Sequence, residues 1–261
     1  MNDRIATVPA IVRRIARHVT GNYVPFLAGS LAYHVFVALV PVSLLSLVVI
    51  SAVGGEAGVG YINEMTRPYL TPRARGLLAD SISGAADRTG LVVLGAAALV
   101  WSLARIFRGL DIAFAAIYDC PTHETLRRQL SDGVVAVLAV SAGLAASVVV
   151  GAIVALVPLG PLARLANPLL FVVVLAVVFF PLYYVFPNVE VTPRDVLPGA
   201  VVAAVGWALF HVAFQLYATY AITQEAYEVL GVVLSVLIWV YASMFILLTG
   251  AAVNAVLAGH G

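Results

Sequence analysis

Six stretches of this 261-residue chain run for about 20 residues or more almost without charge: about 25–53, 91–118, 132–157, 167–186, 196–218 and 228–257. The hydrocarbon core of a bilayer takes roughly 20 apolar residues as a helix. A backbone buried in lipid must satisfy its own hydrogen bonds, which only helices and closed barrels do, and these runs lack the alternation of barrel strands. They predict an all-α integral membrane protein: six transmembrane helices in one bundle, a single polytopic domain over residues 1–261. Composition agrees. Charged residues make up 10% of the chain and hydrophobic ones 62%, whereas soluble domains carry about a quarter charged residues.

Charge placement predicts the orientation. All 14 basic residues are arginine, against 13 acidic ones, so the near-neutral chain lacks the basic surface of a nucleic-acid binder. With the N-terminus inside, Arg4, Arg13, Arg14, Arg17, Arg127, Arg128 and Arg194 fall on the cytoplasmic side, and Arg67, Arg73, Arg75, Arg88 and Arg164 outside. Because arginine is enriched in cytoplasmic loops, both termini are expected in the cytoplasm of a multi-pass cell-membrane protein. The run after Arg17 is too long for a signal-peptide core and reads as an uncleaved anchor.

Between the spans, the external loop 54–90 shows apolar residues at helical spacing in VGYINEMTRPYL and PRARGLLADSISGAAD. This predicts two short amphipathic helices at the outer interface, or a loop packed back on the bundle. The connection after the fourth span is a turn: Pro187 and Asn188 end one helix, and Thr192-Pro193-Arg194-Asp195 has the cap, first-turn proline and third-position acid that start the next.

Four ordered segments resemble the YihY/BrkB family of membrane proteins: AGSLAYHVFVALVPVSLL (28–45), VWSLARIFRGLDIAFAAIYD (100–119), YYVFPNVEVTPRDVLPGAVVAAVGWALFHVAFQLYAT (183–219) and YEVLGVVLSVLIWVYASMFILLTGAAVNA (227–255). The chain departs from that pattern at Ala115, Glu228 and Ala252, where the family often has Asn, Gly and Glu. The resemblance implies a six-helix inner-membrane protein. Some relatives carry an old label, ribonuclease BN, generally regarded as mistaken, and others are linked to envelope integrity, serum resistance or lipid export.

Polar residues inside the spans are the candidate functional groups, because the bilayer makes them costly. Arg105, Arg108 and Asp111 lie at i, i+3 and i+6 behind Trp101, with Arg108 and Asp111 spaced to pair. They form either a headgroup or anion site facing a cavity, or an anchor at the cytoplasmic interface. Tyr33 and His34 in the first span, and Trp207, His211 and Gln215 in the fifth, serve either a proton relay or interhelical hydrogen bonds. Ser235, Trp239, Ser243 and Asn254 fit the same bonding role. Gly143, Ser147 and Gly151, with Ala139 and Ala155, make a ridge of small residues that lets another helix approach.

No catalytic chemistry is expected. The acids are scattered, Cys120 is the single cysteine, and Cys120-Pro121-Thr122-His123-Glu124 is half a metal site, so neither metal nor cofactor is implied. Two functions remain. One is transport or export of a membrane lipid or other amphiphile. The other is a non-transporting component that binds a second copy of itself or a partner protein in envelope assembly.

Overall fold

The computed structural model describes residues 8–66, 89–122, 131, 133–143, 145, 163–221 and 228–260. Every regular element among them is a helix: α1 Val8–Gly21, α2 Val24–Thr66, α3 Thr89–Tyr118, α4 Gly133–Gly143, α5 Ala163–Val185, α6 Pro193–Ala221 and α7 Glu228–Ala258. Among the described residues, four stretches are long and apolar enough to cross a membrane: Val24–Ser46, Val92–Tyr118, Pro193–Tyr217 and Val233–Ala258. Two shorter apolar helices accompany them, Gly133–Gly143 and, within α5, Leu169–Val185. Among the described residues the regular structure is all helical, consistent with a membrane protein. The third expected span, 132–157, lies largely outside the described residues.

One local reading changes. Residues 59–66 do not begin a separate amphipathic helix; they continue α2, which runs unbroken for 43 residues. The glycines at 54, 55, 58 and 60 each cost roughly 1 kcal/mol against alanine in a helix, yet no proline interrupts α2 between Pro41 and Thr66. The second loop segment lies outside the described residues. At the other end, the arginine-rich stretch ahead of the first span folds as α1, a 14-residue amphipathic helix.

Helix ends follow the chemistry of their residues. α6 starts as its sequence implies: Thr192 N–H donates to Asp195 Oδ2 at 2.9 Å, and the Thr192 hydroxyl donates to the same oxygen at 2.6 Å. α3 ends with Asp119 in the left-handed region, φ 49°, while Cys120 N–H reaches back to Ala115 carbonyl at 3.0 Å. α7 ends in the same way at Gly259, φ 92°, with His260 N–H on Ala255 carbonyl at 2.9 Å. Both endings satisfy a carbonyl that the helix itself leaves open.

The chain divides into two compact units, His34–Arg105 and the remainder, 1–33 with 106–261. In the first unit, Pro41 is buried, and Leu44 and Leu45 close on Gly95, where a Cβ would lie 2.8 Å from Leu44. In the second unit, α6 packs between α5 and α7, and α1 lies on α7.

The seam between α6 and α7 is made of small residues. Gly199, Ala200, Ala203 and Ala204 on α6, and Gly250, Ala251, Ala252 and Ala255 on α7, are all buried. A Cβ on Gly250 would lie 2.7 Å from Gly199 carbonyl and would strike the Tyr183 hydroxyl. That hydroxyl donates to Leu247 carbonyl at 2.7 Å, so α5 is tied to α7 at the same level. Asn254, 1% exposed, accepts from Gly199 N–H at 2.6 Å through Oδ1 and donates to Val196 carbonyl at 3.2 Å through Nδ2. Between those two residues sits Pro198, which has no N–H to give.

Gly250→Ala tests this seam. Alanine gains up to about 1 kcal/mol of helix propensity, but overpacking against a backbone carbonyl costs about 1–3 kcal/mol. Thermal melting in detergent should show Gly250→Ala destabilised, while Gly231→Ala, with nothing within 4 Å of its added methyl, should be neutral or slightly stabilised. Equal melting of the two variants would contradict the close approach.

Candidate functional site

Polar side chains gather where α1 and α3 end, at the turn before α6. His18 Nε2 lies 2.7 Å from Ile117 carbonyl. Two acceptors would repel at that distance, so Nε2 carries the proton and donates. Asn22 Nδ2 is beside the pair, 3.1 Å from His18 Nε2 and 3.5 Å from the same carbonyl. The C-terminal end of α1 is thereby fixed to the last turn of α3. From the turn, Asn188 Nδ2 donates to Asp111 Oδ1 at 3.0 Å and to Pro121 carbonyl at 2.9 Å. The Tyr118 ring meets the His260 ring at 5.7 Å.

The inner side of this cluster is buried. Asp111 is 2% exposed, and two buried atoms, Tyr118 hydroxyl and Asn188 Oδ1, have no hydrogen-bond partner among the described residues. Each such atom costs about 1–3 kcal/mol. Burial pushes the Cys120 thiol above its usual range, Asp111 and Asp119 add to the rise, and a hydrogen bond involving the Asn188 backbone lowers it. Among the described residues, no three His, Cys, Asp or Glu side chains gather around a metal position.

The residues singled out from sequence fall into separate places. Arg105 and Arg108 are both exposed on α3, and the Arg105 guanidinium sits 5.1 Å from the centre of the Trp101 ring. Asp111 instead points inward to Asn188. Tyr33 is exposed and His34 half-buried. Trp207, His211 and Gln215 do come together. The Trp207 and His211 rings stack at 5.6 Å, and Gln215 Nε2 donates to His211 Nε2 at 3.2 Å. Trp207 Nε1–H donates to Ser243 Oγ at 3.2 Å, and the Ser243 hydroxyl donates in turn to Trp239 carbonyl at 2.8 Å. Phe171 from α5 and Trp239 from α7 complete this aromatic group. Gly143 is buried, and a Cβ there would lie 3.7 Å from Val177 and Val178 of α5; Ser147 and Gly151 lie outside the described residues.

His18, Asn22, Tyr118 and Tyr183 do not stand out in the sequence as site residues. His18 and Asn22 are four apart, with Arg14 a further four before them, and that spacing is the one signal they give. Tyr118 and Tyr183 look like ordinary interfacial aromatics until the fold brings them inside.

The sequence pattern of the family described as Virulence factor BrkB matches residues 15–260. A UPF0761 membrane protein of Rhodospirillum rubrum is 27% identical over 274 residues, covering 96% of this chain and 59% of the relative. A UPF0761 membrane protein of Coxiella burnetii is 27% identical over 241 residues, covering 88% of this chain and 87% of the relative. A protein of Bacillus subtilis whose name describes it as ribonuclease-like is 36% identical over 85 residues, 32% of this chain and 31% of that protein. The chain thus spans about three fifths of the Rhodospirillum relative and under a third of the Bacillus one. No solved structure matches it.

Asn188 is the point to test in the cluster. Asn188→Ala removes a donor from a buried carboxyl and should cost about 1–3 kcal/mol. Asn188→Asp should cost more, because it sets a second carboxylate against Asp111. Melting of both variants in detergent at neutral pH checks the order; an aspartate variant as stable as wild type would contradict the pairing.

Proposed function

The chain belongs to the virulence factor BrkB family, and from that premise we propose that it is a multi-pass protein of the cell membrane that moves or exports an anionic lipid or similar amphiphile. The observation that supports this reading most is on α3. Its Val92–Tyr118 stretch has the length and composition of a crossing helix, yet it keeps the side chains of both Arg105 and Arg108 exposed. An arginine at the centre of a bilayer costs about 2.5–3.5 kcal/mol on insertion scales, and snorkelling toward the headgroups lowers that cost. Two guanidiniums one turn apart offer planar, paired donors to a phosphate. Trp101 steadies the first of them through its ring face.

In this reading both termini are cytoplasmic, and the buried carboxyl of Asp111 orders the helix end rather than meeting the lipid. The competing reading, a non-transporting component that binds an envelope partner, draws on the exposed apolar faces of α6 and α7, such as Leu209, Val212, Leu216 and Leu234. In a membrane those faces meet lipid without further explanation, so the arginines weigh more.

Reconstituted vesicles carrying a labelled anionic phospholipid decide between the two. Wild-type protein should move the label between leaflets faster than protein-free vesicles do. The double variant Arg105→Ala, Arg108→Ala should slow movement by about tenfold or more, the worth of losing charged hydrogen bonds, without loss of melting temperature. Lysine at both positions should restore it only in part, because it keeps the charge and loses the fork. Wild-type movement no faster than in protein-free vesicles would overturn the transport reading. Full rescue by lysine would reduce the arginines to interface anchors.

A further inference from the structure

α1 ends where the chain turns into a crossing helix. Tyr23 alone stands between Asn22 and Val24, the first residue of the Val24–Ser46 stretch. At the same end of α1, His18 Nε2 and Asn22 Nδ2 lie on the carbonyl of Ile117, one residue before the Val92–Tyr118 stretch closes. With those two stretches in a membrane, the last turn of α1 sits where hydrocarbon gives way to headgroups.

The rest of α1 stays close to its own unit. Ile11, Ile15, His18 and Asn22, at steps of four, three and four, are half-buried along the helix and the turn that follows, and α1 packs on α7. A helix covered along its length is laid on its neighbours rather than projecting from them. The joint to α2 is a break rather than a continuation, because Tyr23 takes the left-handed region, φ 53°, where a bulky residue is rarely found.

The exposed positions of α1 include two rows of different chemistry. Arg13 and Arg17 lie opposite the half-buried stripe, and Arg17 Nε donates to Arg13 carbonyl at 3.4 Å, which keeps its stem along the helix. Between that row and the stripe, Val12, Ala16 and Thr20 are exposed at four-residue steps, Val12 by 58%. The Thr20 hydroxyl turns back on its own helix, 3.0 Å from Ala16 carbonyl and 3.1 Å from Arg17 carbonyl, so this second row presents methyl groups. An apolar row beside a basic one suits a helix lying in a membrane surface, with acyl chains on one side and headgroups on the other. At the joint, Tyr23 is 73% and Phe26 76% exposed, in keeping with the aromatic residues that collect at headgroup level.

We propose that α1 lies in the plane of the membrane surface, its Val12, Ala16 and Thr20 flank seated on the lipid of the leaflet that α2 enters, with Tyr23 holding the joint at headgroup depth. The partner is the lipid surface itself. Through its bonds to Ile117, an α1 seated there fixes the depth at which α3 ends. The arrangement shares no residue with the α3 arginines and holds whether or not the protein moves lipid.

The test uses the full chain in vesicles of phosphatidylcholine and phosphatidylglycerol. Nitroxide labels are attached one at a time through Val12→Cys, Ala16→Cys or Arg17→Cys in a Cys120→Ala background, with folding read by thermal melting. Labels at positions 12 and 16 should collide with oxygen, which concentrates in the membrane, in preference to a water-soluble nickel chelate, and should report a depth of about 5–10 Å. The label at position 17 should favour the chelate. A label at position 12 that meets the chelate as readily as the one at position 17 would put the flank in water and overturn the proposal. Spin–spin broadening at position 12 that dilution with unlabelled protein relieves would seat a second copy there, and would also overturn it. A photoreactive diazirine side chain at position 12 of the otherwise unaltered chain checks the result without touching Cys120. It should cross-link to phospholipid, and cross-linking to protein alone would contradict the lipid-facing flank.

Discussion

Where α6 crosses α7, Gly199 and Gly250 bring two backbones together without side chains between them, and Asn254 bonds across the gap. Helices in lipid gain little from hiding apolar surface, because the surrounding chains are as apolar as the helix partner. Close packing and a few well-placed hydrogen bonds must supply the attraction. Here both act at one level of the second unit. Tyr183 adds a third helix by donating to Leu247 carbonyl, an acceptor with a second lone pair to offer. With α5, α6 and α7 joined, α1 has a surface on α7 to lie against.

From that centre the polar residues divide by exposure. Asp111, Asn254, Tyr183 and Tyr118 are buried, and all but the Tyr118 hydroxyl have hydrogen-bond partners within the fold. They fix helix ends and crossings. Arg14, Arg17, Arg105 and Arg108 are exposed. A charge kept at the surface of an apolar helix needs headgroups, water or a partner to answer it, which is the ground of the reading proposed for Arg105 and Arg108. Sequence spacing alone joins Arg108 to Asp111; the fold gives Asp111 to Asn188 and leaves the guanidinium facing out.

Features carried by neighbouring residues are legible in the sequence itself. The cap at Thr192 and Asp195 needs only four residues in order, and the apolar runs declare a membrane helix by length. Features built from distant residues are not. The ridge through Gly143 stands out because its residues repeat every four positions, whereas the α6–α7 seam pairs positions about 50 apart whose match appears only in space. α1 is hidden for another reason: it is short and half polar, so the length and apolarity that mark a crossing helix pass over it. The full length of α2 is obscured by glycines, which weaken a helix without ending it. The grouping of Trp207, His211 and Gln215 is visible as a stripe, but Phe171 and Trp239, which complete it, lie on other helices.

The dependence of the second unit on the α6–α7 crossing is tested most directly at Asn254. Replacing it by leucine keeps the bulk and removes both bonds, leaving Gly199 N–H and Val196 carbonyl without the side chain that pairs them. Melting of Asn254→Leu in detergent, read beside wild type, should show a loss of about 1–3 kcal/mol of stability. A variant that melts at or above the wild-type temperature would contradict the claim that this buried amide holds the two helices together.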